Sequence, residues 1–441
     1  MVNNCEVTKV KTRKKWRHSL LLGCILLLAM VCVGQAASYD YPFADPIEAT
    51  ILSTPKSARA KLPEKIRVKE YATITVFPER HVPEVFWYNK ELRYSIAYHK
   101  EKAPLMVLIA GTGAGYDSAK MQMMQKAFFQ AGFHVLALSS PTHPNFIVAA
   151  SSTGMPGDIR SDAKDIYHVL ETLWQRLSKK ELVSNFYLTG YSLGGSEAAF
   201  VAKLDEERKV FNFKKVLMIN PALNIYDSAV KLDKMLVDNI PGGIDHFDDF
   251  YQKLIHNITK SYVHGDFVDL AGDFFYKAYD KIIPNPQEGK ALIGFSFRIS
   301  LANMLFTADV MTNSGYLVPK NLKLSRTTSL TNYCKVASRG NGFREYAENL
   351  LYPYFRRQNP YLSFQALIAR SSLRSIESYL RNSDKIGLVT NVDDIILADG
   401  DIDYFKQVFG SRAKIYPRGG HCGNMAYKDN VRYMVNFFKS N

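Results

Sequence analysis

The 441-residue sequence predicts an α/β protein: a mostly parallel sheet of eight strands flanked by helices. Two observations carry this. Short apolar runs alternate with longer segments whose apolar residues recur at helical spacing, the pattern of βαβ units. The runs are apolar at consecutive positions, as in Leu105-Met106-Val107-Leu108-Ile109-Ala110, which suits strands covered on both faces. Taken in order, residues 39–69 are punctuated by proline and read as an extended arm lying on the domain. Residues 69–77 and 92–99 alternate and are tyrosine-rich, as an initial antiparallel pair would be. Strands then follow at 105–110, 134–138, 186–189 and 216–219, with helices expected at 118–130, 160–177 and 196–204 between them. Two last strands, 385–390 and 414–416, and a helix at 428–438 complete the set. No internal repeat is visible.

Gly190-Tyr191-Ser192-Leu193-Gly194-Gly195 sits between an expected strand and an expected helix. A serine in G-x-S-x-G at such a junction occupies a sharp turn that lifts its hydroxyl above the sheet edge. The bland alternative is an ordinary glycine-rich connection, and the later residues weigh against it. A serine hydroxyl is a poor nucleophile at neutral pH, so a histidine must take its proton and a carboxylate must orient that histidine. Candidates for both follow in loops just after strands: Asn391-Val392-Asp393-Asp394 and Pro417-Arg418-Gly419-Gly420-His421. Another glycine-rich turn, Gly111-Thr112-Gly113-Ala114-Gly115, follows the 105–110 strand. It lacks the Lys-Ser/Thr ending of a P-loop and the spacing of a dinucleotide fingerprint.

On GYSLGG, TNVDD and PRGGH the chain resembles the α/β-hydrolase superfamily over most of residues 69–438, a long middle insert excepted. The resemblance implies Ser192 as nucleophile and His421 as general base. Setting Asn391 against the family's usual glycine puts Asp394 in the acid position, with Asp393 the alternative. The oxyanion donors it implies are the backbone N–H groups of Leu193 and Thr112, with Gly113 the alternative to Thr112; family members often carry His-Gly where this chain has Ala110-Gly111. The implied activity is hydrolysis of a carboxylic ester, including lipid-like esters, through an acyl-enzyme and without cofactor or metal. Thioester or amide hydrolysis and acyl transfer use the same triad. A non-catalytic carrier of apolar ligands is the reading from a different class, and it has no need of all three side chains.

The implied core comprises residues 69–223 and 385–441. Residues 224–384 lie where the family inserts a cap between its sixth and seventh strands, and they are helix-like and aromatic. Phe247, Phe250, Tyr251, Phe267, Phe274, Phe275, Tyr276, Phe295, Phe297 and Phe306 recur at spacings that mean helices packing on each other and on the sheet edge. A cap over the serine also presents an inner face, and an apolar one favours acyl groups over sugars or phosphates.

The N-terminus carries six Lys/Arg, then the apolar run 20–33 and small residues at its exit, which reads as a signal peptide over residues 1–36 and predicts a secreted or periplasmic protein. An uncleaved anchor is the competing reading, and residues 37–68 form the arm. Loss of that segment, with its six Lys/Arg and one Glu, would lower the formal net charge from +14 to +9. These charges are scattered, with no base-reading motif, so nucleic acid is not an expected partner; peripheral contact with an anionic membrane is. Cys334 and Cys422, the two cysteines beyond that segment, would tie the insert to the histidine loop if they paired. No metal-ligand spacing occurs. His134 and His143 read as structural, and Asp399, Asp401 and Asp403 as turn and helix-start residues.

Overall fold

The unbroken apolar run at 105–109 forms β3 (Ala103–Ile109), a strand buried along nearly its whole length between two parallel neighbours. The computed structural model describes residues 39–66, 69–261 and 286–440. The signal-peptide reading of residues 1–36 and the insert aromatics Phe267, Phe274, Phe275 and Tyr276 lie outside them. Around β3 the sheet contains β1 (Lys69–Ile74), β2 (Leu92–Ala97), β4 (His134–Leu138), β5 (Val183–Tyr191), β6 (Val216–Ile219), β7 (Ile386–Asn391) and β8 (Ala413–Tyr416). The strand order is β1-β2-β4-β3-β5-β6-β7-β8; β2 runs antiparallel to β1 and β4, and every other pair is parallel. This is the α/β-hydrolase fold. Parallel register sets Ile109 beside Gly190, Tyr191 beside Ile219 and Asn391 beside Tyr416, so the loops that leave β3, β5, β7 and β8 emerge on one rim.

Helices cover both faces. In chain order they begin with α1 (Pro46–Leu52), α2 (Ala119–Gln130), α3 (Pro144–Ala149), α4 (Ile159–Arg176) and α5 (Leu193–Arg208). Helix α4 shows why the pattern works: Ile159, Ala163, Ile166, Tyr167, Leu170 and Leu173 recur at helical spacing and are buried. The 39–66 segment departs from the extended arm expected of it. Asp45 accepts hydrogen bonds from the Ile47 and Glu48 N–H groups at 2.7 and 2.9 Å, Pro46 takes the first helical position, and α1 follows. The Asp45-Pro46 pair is thus a helix start within the proline-punctuated segment, and Ile47, Ala49 and Ile51 bury the face it creates.

The connection from β6 to β7 carries α6 (Ile225–Val237), α7 (Phe247–Ser261) and α8 (Pro286–Thr312), then Thr331–Gly340 and shorter helical turns to Asn382. Its side chains share the main core: Leu236, Phe247, Phe250, Leu292 and Phe295 pack in one cluster with Ile47 and Ile51. Two contacts pin α8 to α6. The Arg298 guanidinium meets Asp233 Oδ1 at 2.6 Å, and a Cβ at Gly294 would stand 2.3 Å from the Leu236 backbone nitrogen. Among the described residues α8 is the one helix long and apolar enough to cross a membrane by composition, and 67% of its most apolar stretch is buried inside the protein. Cys334 and Cys422, whose pairing the sequence allowed, are both free thiols.

One buried acid organises the return from α5 to the sheet. Asp205 accepts hydrogen bonds from Tyr167 Oη (2.8 Å) and from the Phe211 and Phe213 N–H groups (3.0 and 2.9 Å). Asp205→Ala leaves these three donors buried without acceptors and should destabilise the fold by about 3 kcal/mol or more, measured by urea denaturation.

Candidate active site

The turn between β5 and α5 is built by backbone proximity. Ser192 adopts φ 54° and ψ −126°, a left-handed conformation that a side-chain-bearing residue holds only when its surroundings impose it. A Cβ at Gly190 would lie 2.2 Å from the Gly194 carbonyl oxygen, and one at Gly194 would lie 2.4 Å from that of Ile109. The two glycines therefore let α5 begin almost against the sheet. The Ser192 N–H is held by the Ile219 carbonyl at 2.8 Å, which leaves the hydroxyl aimed over the rim.

His421 reaches Ser192 from the loop after β8. Its Nε2 stands 2.9 Å from Ser192 Oγ, and its Nδ1 stands 2.9 and 3.2 Å from the two carboxylate oxygens of Asp394. With the Nδ1 proton donated to Asp394, Nε2 is left to accept from the serine hydroxyl. Asp394 is buried and further anchored by Asn220 Nδ2 (2.8 Å) and the Ile396 N–H (3.2 Å). Asp393 faces elsewhere: its oxygens accept from the Gly419 and Gly420 N–H groups at 3.1 and 2.9 Å and so shape the histidine loop. The structure thus brings Ser192, Asp394 and His421 together and gives Asp393 a bracing role.

The electrostatics suit proton transfer. Burial opposes charge on the His421 imidazole, but the Asp394 carboxylate, with the Cys422 sulfur 3.7 Å from Nε2, outweighs it and holds the pKa above the ordinary histidine value. An imidazolium formed here is stabilised. Two features had no sequence signal. Thr50 on α1 accepts the His421 backbone N–H at 2.9 Å, and Asn220 at the end of β6 binds the acid; both contacts span more than a hundred positions.

At the glycine-rich turn after β3, the Gly113 N–H is committed to Thr142 Oγ1 at 2.7 Å. The Thr112 and Leu193 N–H groups find no acceptor among the described residues. Thr112 and Ser192 line one cavity of about 180 Å³, walled by Leu232, Leu292, Ile293 and Phe297. Among the described residues no group of three or more His, Cys, Asp or Glu is placed to hold a metal ion. His134 bonds the His99 N–H and the Leu182 carbonyl, and His143 caps α3 with burial pushing its pKa down to about 4. Asp401 accepts the Ala398 N–H and Asp403 pairs with Lys406.

No protein-family model matches the chain, and no curated protein matches its sequence. Solved structures similar to it include Est1E from Butyrivibrio proteoclasticus, at 13% identity and a TM-score of 0.35 over 80% of this chain and 96% of that one. A thioesterase domain from the curacin biosynthetic pathway is similar at 12% identity and 0.37, over 85% and 100%. The Pyrococcus furiosus esterase Pf2001 is similar at 10% identity and 0.42, over 88% and 96%.

The turn makes a separable stability prediction. Gly194→Ala drives a methyl into two backbone carbonyls and should cost about 3 kcal/mol. Gly195→Ala, whose new atom meets its neighbours at 3.0 to 3.2 Å, should stay within about 1 kcal/mol of the parent because alanine favours the helix. Thermal denaturation of the two variants checks the contrast.

Proposed function

We propose that the protein is a serine hydrolase that cleaves a carboxylic ester with an apolar acyl group. The observation that carries this reading is the continuous chain of hydrogen bonds Ser192–His421–Asp394 opening onto an apolar cavity. His421 Nε2 takes the hydroxyl proton as Ser192 Oγ attacks the carbonyl carbon. The Thr112 and Leu193 N–H groups, still unspent in the free protein, receive the oxyanion. His421 then delivers its proton to the departing alkoxide, and a water activated by the same imidazole releases the acid from Ser192. The buried Asp394 keeps the imidazole in the required tautomer throughout.

The cavity volume argues for a modest acyl group. A cavity of comparable size, about 150 Å³, holds a benzene molecule, so an acyl chain of about six carbons is the expected optimum. The basic, apolar N-terminal segment supports an exported protein that meets its ester outside the cytoplasm.

A fluorophosphonate probe should label the protein, and the label should vanish in Ser192→Ala. Failure to label the folded parent would favour the apolar-ligand carrier. On p-nitrophenyl hexanoate, Asp394→Asn should lower kcat by about ten-thousandfold while Asp393→Asn retains most turnover, the reverse pattern overturning the assignment of the acid. The pH profile follows from the His421 shift. Only neutral imidazole accepts the serine proton, so activity falls as pH drops through the raised pKa. The residual activity of Asp394→Asn should show its acid limb at lower pH than the parent's.

A further inference from the structure

Lys120, on the first turn of α2, lines the same cavity as Ser192. It is half-buried, yet no carboxylate among the described residues lies within ion-pair distance of it. Elsewhere in the chain Lys385 pairs with Glu206, and Lys215 donates to the Phe437 carbonyl and Ser440. Apart from the His421 imidazole and the Cys422 thiol, the side chains lining the cavity with Lys120 are apolar or hydroxyl-bearing, and no Asp or Glu is among them. A half-buried ammonium at the edge of an apolar cavity and without a counter-charge is placed to receive an anionic partner. The formal net charge is +14 for the full chain and +9 without residues 1–36, so in either case the field draws anions toward such a site.

We infer that Lys120 is a specificity residue and that the natural ester carries an anionic group, a carboxylate or a phosphate, which docks on this ammonium while the acyl carbonyl meets Ser192. The inference rests on the ester-hydrolase reading for the identity of the reacting bond. It narrows the substrate from apolar esters in general to amphiphilic ones with a charged end. Lys120 acts on binding and takes no part in proton transfer.

The test compares ligands that differ in one terminal group: methyl pentanoate, methyl hydrogen glutarate and methyl 4-phosphonobutanoate. Titrated calorimetrically into Ser192→Ala protein, at least one anion should bind roughly tenfold tighter than the neutral ester, the worth of one charge-assisted hydrogen bond. The stronger of the two identifies the group as carboxylate or phosphate. In Ser192→Ala/Lys120→Met the preference should collapse, in Ser192→Ala/Lys120→Arg it should persist, and added salt should weaken it. Equal affinity for all three ligands, or a preference unchanged by Lys120→Met, overturns the inference. Kinetics on the parent with the corresponding p-nitrophenyl esters should show the same preference in KM more than in kcat. Selective binding by the Ser192→Ala protein with no ester turnover by the parent would sink the hydrolase reading and leave the anion site standing.

Discussion

The left-handed backbone at Ser192 is the constraint from which the site follows. It exists because α5 starts within contact of the carbonyls of β3, and that approach exists because residues 190 and 194 have no side chain. Strain of this kind costs of order 1–3 kcal/mol and persists only where the surroundings over-determine it. Here the over-determination comes from the sheet: the Ile219 carbonyl holds the Ser192 N–H, and the buried face of α5 locks the helix in place. The same turn leaves the first N–H of the helix, at Leu193, without an acceptor among the described residues. One local distortion thus lifts a hydroxyl and exposes a donor beside it.

The remaining parts are supplied by different strand ends, each braced separately. Asp394 is tied to β6 through Asn220, and the histidine loop is shaped by the neighbouring Asp393. Adjacent aspartates with the same charge therefore serve different ends because the turn after β7 points them apart. The insert completes the enclosure. It shares the main core with α1, and α8 spans the cavity with apolar side chains while Arg298 anchors it to α6.

Much of this architecture was legible along the chain. The strands at 134–138 and 216–219 were read to the residue because their apolar runs end in sharp polar or turn-forming positions. The fifth strand was read short, since Ser184 and Asn185 at its start are exposed and carry no apolar signal. Helix α1 was missed because proline punctuation outweighed the Asp45 cap in a short segment. The glycine motif and the two loops after the last strands marked the rim where Ser192, Asp394 and His421 meet. Thr50, Asn220 and Lys120 left no trace, because their importance lies in contacts between distant parts of the chain that no local pattern encodes.

The hydrogen bond from the His421 backbone to Thr50 joins residues 371 positions apart. The Arg418 guanidinium, which grips the Tyr41 carbonyl at 2.9 and 2.7 Å, reinforces the same join. During synthesis α1 leaves the ribosome long before its partner loop exists, and the sheet must be laid down in between. The position of the imidazole against the serine is therefore braced by a segment that precedes the whole sheet. A substitution at Thr50 thus reaches the His421 loop from a helix that supplies neither Ser192 nor Asp394, and α1 shapes the cavity through Thr50 and Ile51 as well.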